Sequence, residues 1–247
     1  MNILSNVDFI LPVYIEHPDR IRNINIILAY LQAIGATNVY VNEYYRNDPK
    51  ITNLTSNYIS KNITDNKFFN KMACGNELFD KFSTNKVVCL YDVDVLPTKA
   101  DLIKATEKLL DGYDFAYPFN GYFYDIPIDI VNKLQNDLTT NIDINKCVLF
   151  ATQSHGGCVL FRREVFIEGG KLNPNFKNVG FDDDEINVRY LKLGYKKIRT
   201  SSPLVHLTHY RGETSYNHNE FNNHNGQECG NITHMSVENL KQYIKSW

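Results

Sequence analysis

Residues 87–97 read VVCLYDVDVLP, an unbroken apolar run that stops at two aspartates one residue apart and then at a proline. A strand with no polar alternation must be covered on both faces, as a central strand in a helix-flanked sheet is. Strand-like and helical signals alternate around it, which predicts an α/β fold. VDFILPVY (7–14) reads as a buried strand. A helix over 19–34 follows, with Ile21, Ile24, Ile27, Leu28 and Leu31 at helical spacing and Gly35 as its stop, and NVYVNE (38–43) reads as a second strand.

A stripe from Phe68 to Phe82 predicts a helix that leads into the central strand, and another helix starts at Thr98 or Lys99 and ends before Gly112. The stretch 112–127 is dense in aromatic residues and ends at Pro127, so only part of it can be regular. Its rings suit a carbohydrate platform or ordinary core packing equally well. Residues 155–166 read as loop, strand and short helix, and 181–194 as a helix with its acids in the first turn and Gly194 at its end. After Arg211 the chain is polar and rich in Asn and His, which predicts a loop until the amphipathic SVENLKQYIKSW.

The 247 residues predict one domain, since no repeat or Pro/Gly/Ser-rich linker marks a boundary. The 26 basic and 28 acidic side chains nearly cancel and form no long run, so the footprint of a nucleic-acid binder is missing. Five cysteines (Cys74, Cys89, Cys147, Cys158, Cys229) make no CxxC pair and read as buried, reduced thiols. The opening residues lack the basic region and long apolar stretch of a signal peptide, and no segment approaches a membrane span, which points to the cytoplasm. Three N-x-T matches, at Asn53, Asn62 and Asn231, are discounted in a chain so rich in asparagine.

Asp92 and Asp94 share a face if strand geometry continues through them. Two carboxylates on one face repel, and a divalent cation is an economical way to neutralise them. The end of a strand is also where open α/β sheets bind ligands. A turn that favours Asp and Pro for structural reasons is the competing explanation. His206 and His209, in PLVHLTHY, add imidazole to the candidate donor set; mixed O and N ligation favours manganese over magnesium. Their spacing suits a turn or helix, because in a strand residues three apart face opposite ways and only one would reach a metal. In GFDDDE, Asp182, Asp183, Asp184 and Glu185 exceed what a helix cap needs, which suggests that one of them faces a reactant as a general base.

Together these blocks resemble the beta-1,4-galactosyltransferase family and its relatives among the GT-A glycosyltransferases. FFNKMACGNELFD (68–80) resembles the family's FNRA segment, LYDVDVLP (90–97) its DVDxIP, HGGCVLFRREVFIEGG (155–170) its FGGVxxxxxxxFxxxNG and GFDDDEINVR (180–189) its GWGGEDDDxxxR, and HLTH (206–209) completes the order. The resemblance implies an α/β, Rossmann-like mixed sheet flanked by helices, with 1–97 mainly nucleotide-binding, 98–212 carrying acceptor and catalytic residues, and 213–247 a polar C-terminal tail. It also implies a UDP-sugar donor, a glycan or glycoconjugate acceptor, Mn2+ with Mg2+ as the alternative, and inversion at the anomeric carbon.

Carried over residue by residue, Asp94 resembles the metal's carboxylate ligand, His209 its histidine, and His206 stands where relatives have a methionine ligand. Asp92 resembles the group that steadies the ribose or metal-bound waters. Phe69 and Lys71 fall where a Phe and an Arg contact the nucleotide, Val93 of the DVD segment is counted with the nucleotide-binding residues, and Pro12, Tyr14 and Arg20 or Arg22 resemble the uracil and ribose region. Asp183 aligns with the base and Asp182 with an acceptor-sugar ligand, with Gly156, Gly157 and Phe181 around the sugars. The family's tryptophan and two glycines are here reduced to Gly180 and Phe181.

Three rival readings compete. A haloacid-dehalogenase-type phosphatase also has an apolar run followed by DxD, but it wants Thr or Val where Leu96 stands and carries its aspartates after the first strand of its core domain. A non-catalytic carbohydrate-binding protein could use the same scaffold. A two-carboxylate glycosidase is supported only by the abundance of acids.

Overall fold

The computed structural model describes residues 2–51, 57–65, 68–211 and 220–247. Strand β1 (Val7–Tyr14) is buried along nearly its whole length and leads to helix α1 (Pro18–Ile34). The helix starts where the sequence provides a start: His17 Nδ1 accepts the Asp19 backbone N–H at 3.2 Å and Pro18 sits at the first helical position. It stops at Gly35, whose φ of 88° few other residues adopt. Strand β2 (Asn38–Tyr45) and strand β3 (Tyr58–Asn62) follow, and β3 is an addition to the predicted elements.

Helix α2 (Lys71–Phe82) begins three residues later than the apolar stripe suggests. The Asn70 side chain caps it by accepting the Ala73 N–H at 2.8 Å, which leaves Phe68 and Phe69 outside the helix. Strand β4 (Val87–Tyr91) is buried at every residue, as its composition requires, and each aliphatic side chain so buried contributes about 1.5–3 kcal/mol. The strand ends at Tyr91, so Asp92 and Asp94 lie in a turn and do not share a strand face, contrary to expectation. Strand β5 (Val95–Leu96) and helix α3 (Lys99–Leu110), capped by Thr98, come next.

The aromatic stretch forms strand β6 (Phe115–Tyr117) and strand β7 (Phe123–Ile126), with Tyr117 and Phe119 fully buried, so most of it is core. Then follow helix α4 (Ile128–Leu134), strand β8 (Val148–Ala151), strand β9 (Cys158–Arg162), helix α5 (Arg163–Glu168), helix α6 (Asp182–Lys192), strand β10 (Lys197–Arg199) and strand β11 (Leu204–Leu207).

A seven-stranded sheet runs β10-β6-β9-β4-β1-β2-β3, parallel except for β9, which is antiparallel to both β4 and β6. A second sheet, β5-β11-β7-β8, stands at the carboxyl end of β4, because the turn after β4 feeds directly into β5. The long apolar core lies between the larger sheet and its helices.

The C-terminal segment departs most from expectation. Residues 222–234 form helix α7 (Asn222–His234), followed by helix α8 (Val237–Tyr243). The predicted loop is therefore a helix, in which Asn225, Glu228 and Ile232 are buried. Asn225 Nδ2 donates to the Lys177 carbonyl at 2.8 Å, and its Oδ1 accepts the Lys177 N–H at 3.1 Å. Residues 212–219 and Asn53 lie outside the described residues. All five cysteines are free; Cys74, Cys89 and Cys158 are buried as expected, whereas Cys147 and Cys229 are only partly so. Among the described residues, no helix is long and apolar enough to cross a membrane.

Candidate active site

The ends of β1 and β4, the turn 92–94, the 150–157 segment and the start of α6 enclose a cleft of about 730 Å³. Every site residue the sequence suggested lines it, with Arg20 rather than Arg22 as the arginine. Arg22 turns away: its Nη2 donates to the Thr208 carbonyl at 2.7 Å. Tyr14 and Phe69 stack with ring centroids 5.8 Å apart, beside Pro12 at the end of β1.

At one part of the cleft, side chains converge on Asp94, which keeps only 10% of its side-chain surface. His209 Nε2 lies 3.2 Å and His206 Nε2 3.7 Å from Asp94 Oδ2, and Arg20 Nη1 donates to the same oxygen. Both histidines reach it, although strand spacing argued for one. His206 belongs to β11, but the strand ends at Leu207 and the chain bends before His209. Helix α1 holds that bend: Asn23 Nδ2 donates to Leu207 O at 2.8 Å, Arg22 to Thr208 O, and Asp19 Oδ2 accepts the Tyr210 N–H at 2.8 Å.

Among the described residues, Asp94, His206 and His209 form the one group of three whose ligand atoms all lie within 4.8 Å of one another. Their outer contacts fit a metal. His206 Nδ1 donates to Asp125 Oδ1 at 2.6 Å, and His209 Nδ1 to the Tyr210 carbonyl at 2.7 Å. In each neutral ring this leaves Nε2 as a lone pair aimed at a carboxylate, a repulsive arrangement unless a proton or metal ion lies between them. Asp125 was not legible as a site residue. It faces His206 because β7 and β11 pair in parallel with those two residues in register.

Burial opposes the charge on Asp94, yet Arg20, His206 and the hydrogen bonds from both histidines hold its carboxyl well below the usual range. Burial likewise disfavours the His206 cation, but Asp94 and Asp125 outweigh it and raise the imidazole pKa.

At the start of α6, three acids of the FDDDE run, Asp182, Asp184 and Glu185, each have a partner of their own. Asp182 Oδ1 accepts the Gly180 N–H at 2.9 Å. Asp184 Oδ1 accepts from His155 Nδ1 at 2.9 Å. Glu185 is buried against Arg189, whose Nη2 donates to Glu185 Oε2 at 3.2 Å and to Lys171 O at 3.0 Å. Asp183 faces the cleft with 30% of its side chain exposed.

Lys71, only 8% exposed, joins the acids: its Nζ lies 2.8 Å from Asp92 Oδ1, 3.4 Å from Asp182 Oδ2 and 3.9 Å from Asp183 Oδ1. Burial pushes the Asp183 carboxyl well above its ordinary value; Lys71 pulls it back, and Asp182, Asp92 and Asp184 push it further up. Asp92 is raised for the same first reason, burial, with Lys71 opposing. The Lys71 ammonium is held well above its usual pKa because Asp183, Asp92 and Asp182 outweigh its own desolvation.

The backbone approaches closely here. A Cβ at Gly156 would lie 2.6 Å from Asp183 Oδ2, so glycine leaves room for the carboxylate. Phe181, with φ 64°, holds the left-handed conformation at the N-terminus of α6, a cost of about 1–2 kcal/mol for such a residue. It stands next to the acids that the helix start presents.

No family model and no curated protein matches the sequence. Solved structures do match. A mannosyltransferase from Pyrobaculum calidifontis, in complex with GDP-Man and Mn2+, superposes with a TM-score of 0.50 at 17% identity, over 84% of this chain and 58% of that one. The catalytic domain of Drosophila beta-1,4-galactosyltransferase 7, in complex with xylobiose, gives 0.49 at 15% identity over 94% and 82%. A mutant of that Drosophila enzyme with manganese, UDP-Gal and xylobiose gives 0.47 at 17% identity over 82% and 71%. At such identities the likeness defines a fold, and the fold is that of the GT-A glycosyltransferases.

Proposed function

We propose that the protein is a metal-dependent inverting glycosyltransferase that moves a sugar from a UDP-sugar to a hydroxyl of a glycan or glycoconjugate. The observation that carries this reading is a single cleft holding two separate devices: a carboxylate with two histidines, and, beside Lys71, an aspartate that faces the cleft and whose carboxyl burial pushes upward.

In this reading Tyr14, Phe69 and Pro12 receive the nucleobase, and Val93 and Asp92 lie along the nucleotide. Asp94, His206 and His209 would hold Mn2+. Bound there, it would supply Lewis-acid stabilisation of the departing diphosphate. Asp183 takes the proton from the acceptor hydroxyl as that oxygen attacks the anomeric carbon, in one displacement. Lys71 favours the ionised form of Asp183, and Asp182, Gly156, Gly157 and Phe181 border the sugars. The phosphatase reading draws no support from the fold.

The test is nucleotide release from a panel of UDP- and GDP-sugars, with Mn2+, Mg2+ or chelator, and with or without oligosaccharide acceptors. Mn2+-dependent release from a UDP-sugar that rises with acceptor is expected. Absence of binding by every nucleotide-sugar in the presence of metal would sink the reading.

A further inference from the structure

Three side chains compete for one oxygen. Asp94 Oδ2 faces Nε2 of His206 and His209 and also accepts a hydrogen bond from Nη1 of Arg20. A neutral imidazole offers a metal ion a lone pair, whereas a guanidinium has only N–H donors and a positive charge to offer. We propose that Arg20 and a divalent cation exclude one another at Asp94, so that Arg20 is a built-in counter-cation that the metal must displace. This rests on the reading of Asp94, His206 and His209 as a metal centre.

The local structure favours displacement of the arginine over the other two. His206 is pinned by Asp125 within the β7-β11 pair, and His209 by the Tyr210 carbonyl in a bend tied to α1. Arg20 has a long side chain, lines the open cleft and is 23% exposed, so it has somewhere to go. A monovalent and a divalent cation sharing one partly buried oxygen repel strongly, because little water lies between them to screen the pair. Arg22 cannot replace it, being bonded to Thr208, Asn23 and Asp19.

The experiment measures Mn2+ binding to the full chain without nucleotide, by electron paramagnetic resonance of free Mn2+ and by calorimetry. Arg20→Gln is expected to tighten Mn2+ binding about tenfold, and Arg20→Lys, which keeps the charge, to stay within about twofold of wild type. Arg211→Gln serves as the local control, since Arg211 pairs with Asp125 at 3.3 Å rather than with Asp94. It should change affinity less than about twofold, weaker or tighter.

Unchanged or weaker binding in Arg20→Gln overturns the proposal. Equal tightening in Arg211→Gln also overturns it, because the effect would then be general charge and not exchange at one oxygen. Failure of both the wild type and Arg20→Gln to bind Mn2+ removes the metal centre itself. A wild type that binds while Arg20→Gln matches it removes only the role of Arg20.

Discussion

Asp94 and Asp183 line the same cleft, both are hemmed in by protein, and their carboxyls are driven in opposite directions. Desolvation is the largest influence on each and pushes both upward. Around Asp94 it is overcome by Arg20 and two histidines. Around Asp183 the single cation, Lys71, is divided among three aspartates and cannot prevail. Neighbours of opposite sign thus turn two chemically identical groups into one suited to holding positive charge and one suited to accepting a proton. The contrast lies in the partners, since the more deeply buried of the two, Asp94, is the one whose carboxyl is lowered.

The contrast can be broken most sharply at Asp183. Asp183→Asn is expected to lower turnover by about 10²–10⁴-fold while Mn2+-dependent nucleotide binding stays within about twofold. Turnover near wild type would mean that another group takes the proton. Asp125→Asn tests the other side. Losing the carboxylate that orients His206 should weaken Mn2+ binding by about 10–100-fold, measured by calorimetry. Unaltered affinity would show that strand register alone aims the imidazole.

The smallest effect is expected from Lys71→Met, read in the pH profile and not in amplitude. Lys71 favours the ionised form of Asp183, so its removal raises that carboxyl's pKa. The carboxyl is then protonated up to a higher pH, and the acid limb of kcat/KM should move to higher pH. A limb that stays in place or moves down would sever Lys71 from the base.

Much of this arrangement is legible in the sequence, and the gaps have physical causes. The apolar runs of β1 and β4 and the capped, periodic α1 and α3 announce themselves because burial dictates composition there. Strand β3 does not, because it is a largely exposed edge strand reading YISKN. Helix α7 reads as loop because NNHNGQECGNITH has poor helix formers and little apolar periodicity; its helicity comes from packing and from Asn225 and Glu228 bonding inward.

In the site, the acids and histidines stand out by type. Their pairings do not, because they depend on folded geometry. The second histidine reaches Asp94 only because β11 stops at Leu207, and Asp125 is aligned by a register between strands about eighty residues apart. The separation of Asp92 from Asp94 depends on where β4 ends, and alternation cannot reveal that inside a run apolar on both faces.

Helix α7 carries one more implication. Asn225 grips the backbone at Lys177 and Val179, and Gly226 packs beneath Phe181, so the loop before α6 leans on the last thirty or so residues of the chain. During synthesis the sheet and the Asp94 region can emerge and pack before the buttress for Asp183 has left the ribosome. The wall beside Asp183 is therefore completed after the sheet, and a chain cut short before α7 would keep most of its core and lose that support.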